Sequence, residues 1–133
     1  MKIKFLSDKA QMPTRADKGA AGFDLYVPQD TVIHPGRNIV PLDFAIELTG
    51  ESEAQIRPRS GFSAKGMEGY CLQDNSCNRY DADVLLGTID KTYRGNVGVI
   101  IKSYEQIPFL IKKGTRIAQM VIGHCYLGEL LLA

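Results

Sequence analysis

The chain has no tryptophan, two histidines and three cysteines among its 133 residues. An odd cysteine count argues against a disulfide framework and for a reducing compartment. Cys71 and Cys77 are separated by five residues, outside the common zinc spacings, and His34 and His124 lie elsewhere in the chain. Ordinary thiols are expected. Excess charge is missing too: 16 basic residues against 15 acidic leave +1. That balance provides no broad positive field for a nucleic-acid backbone, although a few placed donors can still hold a small anion. No apolar run approaches the roughly 18 residues of a membrane span. The first six residues, Met1 to Leu6, lack an apolar leader core, so neither an anchor nor a secretory leader is expected. A cytoplasmic location follows, with the nucleus or a virus-infected cell also compatible.

An apolar share of 44% with 23% charged residues excludes disorder, collagen and coiled coil. One domain over residues 1–133 is expected. Thirteen glycines and six prolines break the chain into short β-branched or aromatic runs. Strands are predicted near Lys2–Leu6, Phe23–Val27, Phe44–Leu48, Ala54–Arg57, Val84–Ile89, Val97–Lys102 and Arg116–Ile122. Val97, Val99 and Ile101 keep a period of two, as in a strand with one buried face. No stretch of twelve residues holds a helical period free of glycine and proline. At most one short helix is expected, around Phe62–Lys65. The pattern reads as an all-β sandwich or barrel. Gly66–Asp83 is the least regular segment and reads as a surface loop or excursion. The apolar last residues, Tyr126–Ala133, read either as a strand on the chain's own core or as an arm reaching another subunit.

Four segments combine residues that carry chemistry with the β background. In Ala21-Gly22-Phe23-Asp24-Leu25, a carboxylate inside an apolar run needs a partner, unless the strand turns it to solvent. In Arg57-Pro58-Arg59-Ser60-Gly61, a turn presents a guanidinium, a hydroxyl and backbone N–H groups suited to an anion; a structural turn with a solvated arginine is the plainer reading. Gly87-Thr88-Ile89-Asp90, continuing through Tyr93-Arg94-Gly95 to Gly98, reads as a β-hairpin. Its edge N–H and C=O groups could pair with a planar base, its tyrosine could lie against a sugar, and Asp90 could orient and deprotonate a water. A turn-capping Asp beside a core Tyr is the alternative. Gly114-Thr115-Arg116-Ile117-Ala118-Gln119 places two polar side chains in an apolar strand, where each must find hydrogen bonds.

In this order, the four segments resemble the first four motifs of the trimeric dUTP diphosphatases, over about residues 1 to 125. The resemblance implies a jelly-roll-like distorted β-barrel assembled as a homotrimer, with active sites between subunits. It implies hydrolysis of dUTP to dUMP and pyrophosphate, which keeps uracil out of DNA and supplies dUMP for thymidylate synthesis. Nucleic acid and membrane are not implied partners. Residue by residue, Asp90 would hold the water that attacks the α-phosphorus in line. The main chain from Gly87 and Thr88 to Gly98 would read uracil. Ile89 and Tyr93 would pack the deoxyribose, and Tyr93 would exclude a 2′-hydroxyl. Ser60 and Gly61 would hold phosphate oxygens, with Arg59 and Gln119 beside them. Asp24 and Arg116 would support the site. Mg²⁺ would ride on the triphosphate without direct protein ligands, as suits a cation that retains its waters.

Three departures accompany the resemblance. The chain ends at Ala133 without the family's glycine-rich fifth motif, which closes over the nucleotide. The stretch from Gly61 to Asp90 is longer than usual, with Gly66–Asp83 the expected insertion. Val84 stands three residues before Gly87, where many members carry an Asn that frames the base. Two other functions fit the same residues: a non-catalytic nucleotide-binding or regulatory protein of this fold, and a dCTP deaminase, which the Asp90–Gly95 segment matches less well.

Overall fold

Glycine and proline cut the chain into thirteen strands and one helix. In chain order these are β1 (Lys2–Phe5), β2 (Gly22–Tyr26), β3 (Thr31–Ile33), β4 (Gly36–Pro41), β5 (Phe44–Glu47), β6 (Ser52–Arg57), α1 (Ser60–Lys65), β7 (Met67–Cys71), β8 (Cys77–Tyr80), β9 (Ala82–Val84), β10 (Gly87–Ile89), β11 (Gly98–Ser103), β12 (Phe109–Ile111) and β13 (Arg116–His124). The structure, a computed structural model, describes all 133 residues. The strands form four antiparallel groups: β1-β5, β10-β6-β13-β2, β4-β11-β9 and β3-β12-β7-β8. The result is the expected all-β, jelly-roll-like architecture with one short helix.

One apolar core joins these groups. Leu25, Val27, Ile33, Phe44, Val99, Ile101, Phe109, Ile111 and Ile117 are all sealed from solvent. Val97, Val99 and Ile101 point inward, as their alternation predicts, and Ser103 continues the same face. Tyr80 stacks on Phe109 with ring centroids 4.2 Å apart. Burying aromatic rings and branched aliphatic side chains at about 25 cal/mol per Å² is what holds such short strands together.

Three sequence expectations are corrected here. Gly66–Asp83 is not a loop: it carries the β7–β8 hairpin, and Met67 is fully buried. Its polar residues face solvent on β8, which masked the strand period. At the hairpin's tip, the Ser76 hydroxyl and backbone N–H donate to Asp74, which holds that carboxyl below its ordinary range. The run Val84–Ile89 is two strands, not one. Leu85 and Leu86 turn the chain, so that β9 pairs with β11 while β10 pairs with β6. Tyr126–Ala133 does not pack as a strand on the chain's own core. Leu130, Leu131 and Leu132 are 96%, 86% and 103% exposed.

Candidate active site

β13 runs between β2 and β6, so Gln119 sits opposite Asp24 on one side and Arg57 on the other. All four sequence segments touch this sheet: β2, β13 and the end of β6 bring three of them together, and β10 pairs on the far side of β6. A register shift between Arg116 and Ala118 bends the start of β13, the effect expected of a bulge. Arg116 Nη1 donates to Asp24 Oδ2 at 3.3 Å, and Arg59 Nε lies 4.0 Å from Asp24 Oδ1. The Asp24 side chain is only 17% exposed. The partner demanded by a carboxylate in an apolar strand is thus a pair of guanidiniums.

The Pro58–Gly61 segment is fastened to β13 twice. Gln119 Nε2 donates to the Pro58 carbonyl at 3.0 Å, and Arg59 Nη1 donates to the Arg116 carbonyl at 2.9 Å. Gly22 has no Cβ in the space where the Gln119 side chain lies. Sequence reasoning placed Ser60 and Gly61 in a turn; they form the first turn of α1 instead. Arg59 caps that helix through its backbone, without a side-chain bond. The Ser60 hydroxyl is left exposed, and the first amides of a helix have no partner within it. Arg59 and Arg116 thus gather on Asp24 beside Gln119, with Ser60 and Gly61 next along the chain from Arg59.

The remaining segment begins on the edge strand of the same sheet, and it is not a paired hairpin. β10 takes β6 as its neighbour and β11 takes β4 and β9, so the two strands share no ladder. Val97 drives the divergence: its N–H donates to the Phe44 carbonyl, and its carbonyl accepts from Leu42 N–H. Between the strands opens a cleft of about 190 Å³ lined by Gly87, Thr88, Ile89, Asp90, Tyr93 and Gly98. Ile89 is otherwise part of the core. Asp90 is exposed at the rim, and its carbonyl closes the turn with Tyr93 N–H at 3.0 Å. The Tyr93 ring lies over Gly95 and its hydroxyl donates to the Asn96 carbonyl at 2.9 Å. Asn96 is held in turn by Asp43, whose N–H donates to Asn96 Oδ1 at 2.9 Å. Asn96 is a supporting residue that sequence reasoning did not single out, although a Gly-Asn pair is a turn signal.

Within one chain Asp90 and Ser60 stand at different levels of β6. Ile89 lies opposite Ala54 and Gln119 lies opposite Arg57, three residues along β6, or roughly 10 Å. From there Asp90 continues toward the Ser52 end of β6, whereas Ser60 lies beyond its Arg57 end.

A family model described as dUTPase matches residues 8–131. The chain is 39% identical over 123 residues to the deoxyuridine 5'-triphosphate nucleotidohydrolase of Clostridium tetani, covering 92% of this chain and 77% of that protein. It is 36% identical over 131 residues to the same-named protein of vaccinia virus, covering 96% and 79%. Among solved structures, the dUTPase from phage phi11 of S. aureus, described with a structural Mg(II) ion, superposes with a TM-score of 0.82 at 23% identity, over 99% of this chain and 95% of that one. The Staphylococcus bacteriophage 80alpha dUTPase with dUpNHpp gives 0.82 at 25% identity, over 99% and 86%.

Proposed function

This chain belongs to the dUTPase family, enzymes that hydrolyse dUTP, and from that premise we propose that it cleaves dUTP to dUMP and pyrophosphate with Asp90 as the base that activates water. Asp90 takes a proton from a water whose oxygen attacks the α-phosphorus in line. The bond from that phosphorus to the bridging oxygen breaks, and pyrophosphate leaves. A carboxylate within hydrogen-bond reach of that water suits this task.

The unpaired edge of β10 and the Gly98 end of β11, which β9 does not reach, supply N–H and C=O groups for the uracil ring. Tyr93, fixed through Asn96, packs the deoxyribose together with Ile89 and leaves no space for a 2′-hydroxyl. On the other half, Ser60, Gly61, Arg59 and Gln119 bind phosphate oxygens, and Asp24 keeps Arg59 and Arg116 oriented. Asp24 is engaged by two guanidiniums, and Mg²⁺ would ride on the substrate's phosphate oxygens and its own waters, where it neutralises charge.

The observation that carries this reading is the separation of the two halves along β6. Asp90 follows Ile89 toward the Ser52 end of β6, whereas Ser60 lies beyond its Arg57 end. Assembly as a homotrimer, with each site built from two neighbouring chains, joins them. The exposed Leu130–Leu132 tail gives such an assembly apolar surface to bury. The test is pyrophosphate release from dUTP with Mg²⁺, beside UTP, dTTP and dCTP. Turnover confined to dUTP is expected. Absence of dUTP turnover, or ammonia release from dCTP, overturns the reading.

A further inference from the structure

Asp43 stands in the short turn between β4 and β5 with φ +62, a left-handed conformation that aspartate and asparagine tolerate better than other side chains. Each of its polar groups is engaged. Its N–H donates to Asn96 Oδ1 at 2.9 Å, and Asn96 Nδ2 returns a bond to Asp43 Oδ1 at 3.3 Å. The Ser7 hydroxyl donates to Asp43 Oδ2 at 2.9 Å, and Leu6 N–H donates to the Asp43 carbonyl at 2.8 Å. A carboxylate accepts hydrogen bonds more strongly than a neutral group does, so an acid at this position strengthens the hold on Asn96.

The turn is also clamped to the backbone after Tyr93. Leu42 N–H donates to the Val97 carbonyl at 2.9 Å, and Val97 N–H donates to the Phe44 carbonyl at 2.8 Å. Leu42, Phe44 and Val97 are all buried there. The peptide between Asn96 and Val97 is therefore held at both ends, by Phe44 through its N–H and by Asp43 through the Asn96 side chain. Its carbonyl is the acceptor for the Tyr93 hydroxyl, at 2.9 Å. Tyr93 is 45% exposed, so burial alone does not fix its ring. The hydroxyl bond supplies what packing leaves out, at the border of the cleft that Ile89 and Gly98 also line.

We propose that Asp43 is a specificity-determining positioning residue: acting through Asn96, it holds Tyr93 at the depth that admits a 2′-deoxyribose and rejects a ribose. The inference rests on the dUTP hydrolysis proposed above and goes beyond it, because Asp43 lies outside the lining of the cleft. The two sugars differ by one oxygen atom, and a pocket discriminates between such neighbours only while its wall is kept in place. That wall is braced from the β4–β5 turn, and the turn in its own right is tied to the segment after β1 through Ser7 and Leu6.

The test uses two substitutions that this turn accommodates. Asp43→Gly removes the carboxylate at a φ that glycine adopts freely. Asp43→Asn keeps an acceptor for Asn96 at a φ that asparagine tolerates. They are compared with the parent, with Asn96→Ala and with the double variant Asp43→Gly, Asn96→Ala. The readouts are the UTP-to-dUTP ratio of kcat/KM and the ratio of affinities for the α,β-imido analogues of the two nucleotides, by calorimetry with Mg²⁺. Asp43→Gly is expected to shift both ratios toward the ribonucleotide by about three- to tenfold, as for one lost hydrogen bond. Asp43→Asn should stay within about twofold of the parent, and the double variant should match Asn96→Ala alone. A merely structural role would lower both turnovers by one factor and leave the ratios unmoved. Unmoved ratios, an equal shift in Asp43→Asn, or additive effects in the double variant overturn the proposal. A parent that separates the analogues but cleaves neither nucleotide removes the hydrolytic reading, and the analogue ratios then decide the role of Asp43 by themselves. A parent that binds the two analogues alike, or binds neither, overturns both.

Discussion

Gln119 lies across Gly22 so closely that a Cβ on the glycine would stand 2.5 Å from the Gln119 side-chain oxygen. The same side chain donates to the Pro58 carbonyl. A missing methyl in β2 therefore sets the position of the loop that leads to Ser60. Gly22→Ala is expected to displace Gln119, at about 1–3 kcal/mol of stability, and to raise KM for dUTP. Because both changes act through one contact, Gly22→Ala added to Gln119→Ala should cost little more than Gln119→Ala alone. Steady-state kinetics and denaturant titration of the three variants check this, and additive effects would refute it.

Asp90 is exposed and lines an open cleft, so its removal separates chemistry from folding. Asp90→Asn should lower kcat by about 10²–10⁴. The unfolding midpoint should hardly move, since surface changes of this kind stay within about 0.5 kcal/mol. A parallel collapse of stability would show that the carboxylate is structural.

Separation of the halves along β6 predicts complementation. Asp90→Asn retains the phosphate half, while the double variant Arg59→Ala, Gln119→Ala retains the base cleft. Each alone should be inactive. Mixed, unfolded and refolded together in equal amounts, they should recover roughly a quarter of the parental activity, because one site in four of a random closed ring joins two intact halves. Light scattering at a mass near 14.7 kDa, or no recovery on mixing, would argue against sites shared between chains.

Tyr93 is held over Gly95, where a Cβ would stand 2.5 Å from its hydroxyl oxygen. Gly95→Ala should push the ring outward and detach it from the Asn96 carbonyl. The expected outcome is a rise in the ratio of UTP to dUTP turnover, measured as kcat/KM for each. An unchanged ratio would mean that another group excludes the ribonucleotide.

The fold was legible where apolar side chains alternate. Val99 and Ile101 are buried and Ile100 is exposed, as their order indicates. It was illegible where a strand is three residues long or dominated by polar side chains. Thr31–Ile33 and Phe109–Ile111 are too short for a period to register, and Cys77–Tyr80 buries one residue in four. At the site, the order of the segments pointed to a shared function. Their grouping could not be read, because the placement of Asp24 beside Arg59 depends on β13 lying between β2 and β6. The open cleft between β10 and β11 was equally hidden, since it arises when Val97 bonds to Leu42 and Phe44 rather than across the turn.

With each site joined from two chains, as proposed, catalytic output becomes a matter of concentration. Isolated chains would hold a nucleotide's base or its phosphates, but not both ends at once. Dilution below the association threshold would then silence the enzyme without unfolding it, and newly made protein would stay idle until enough of it had accumulated to find its neighbours.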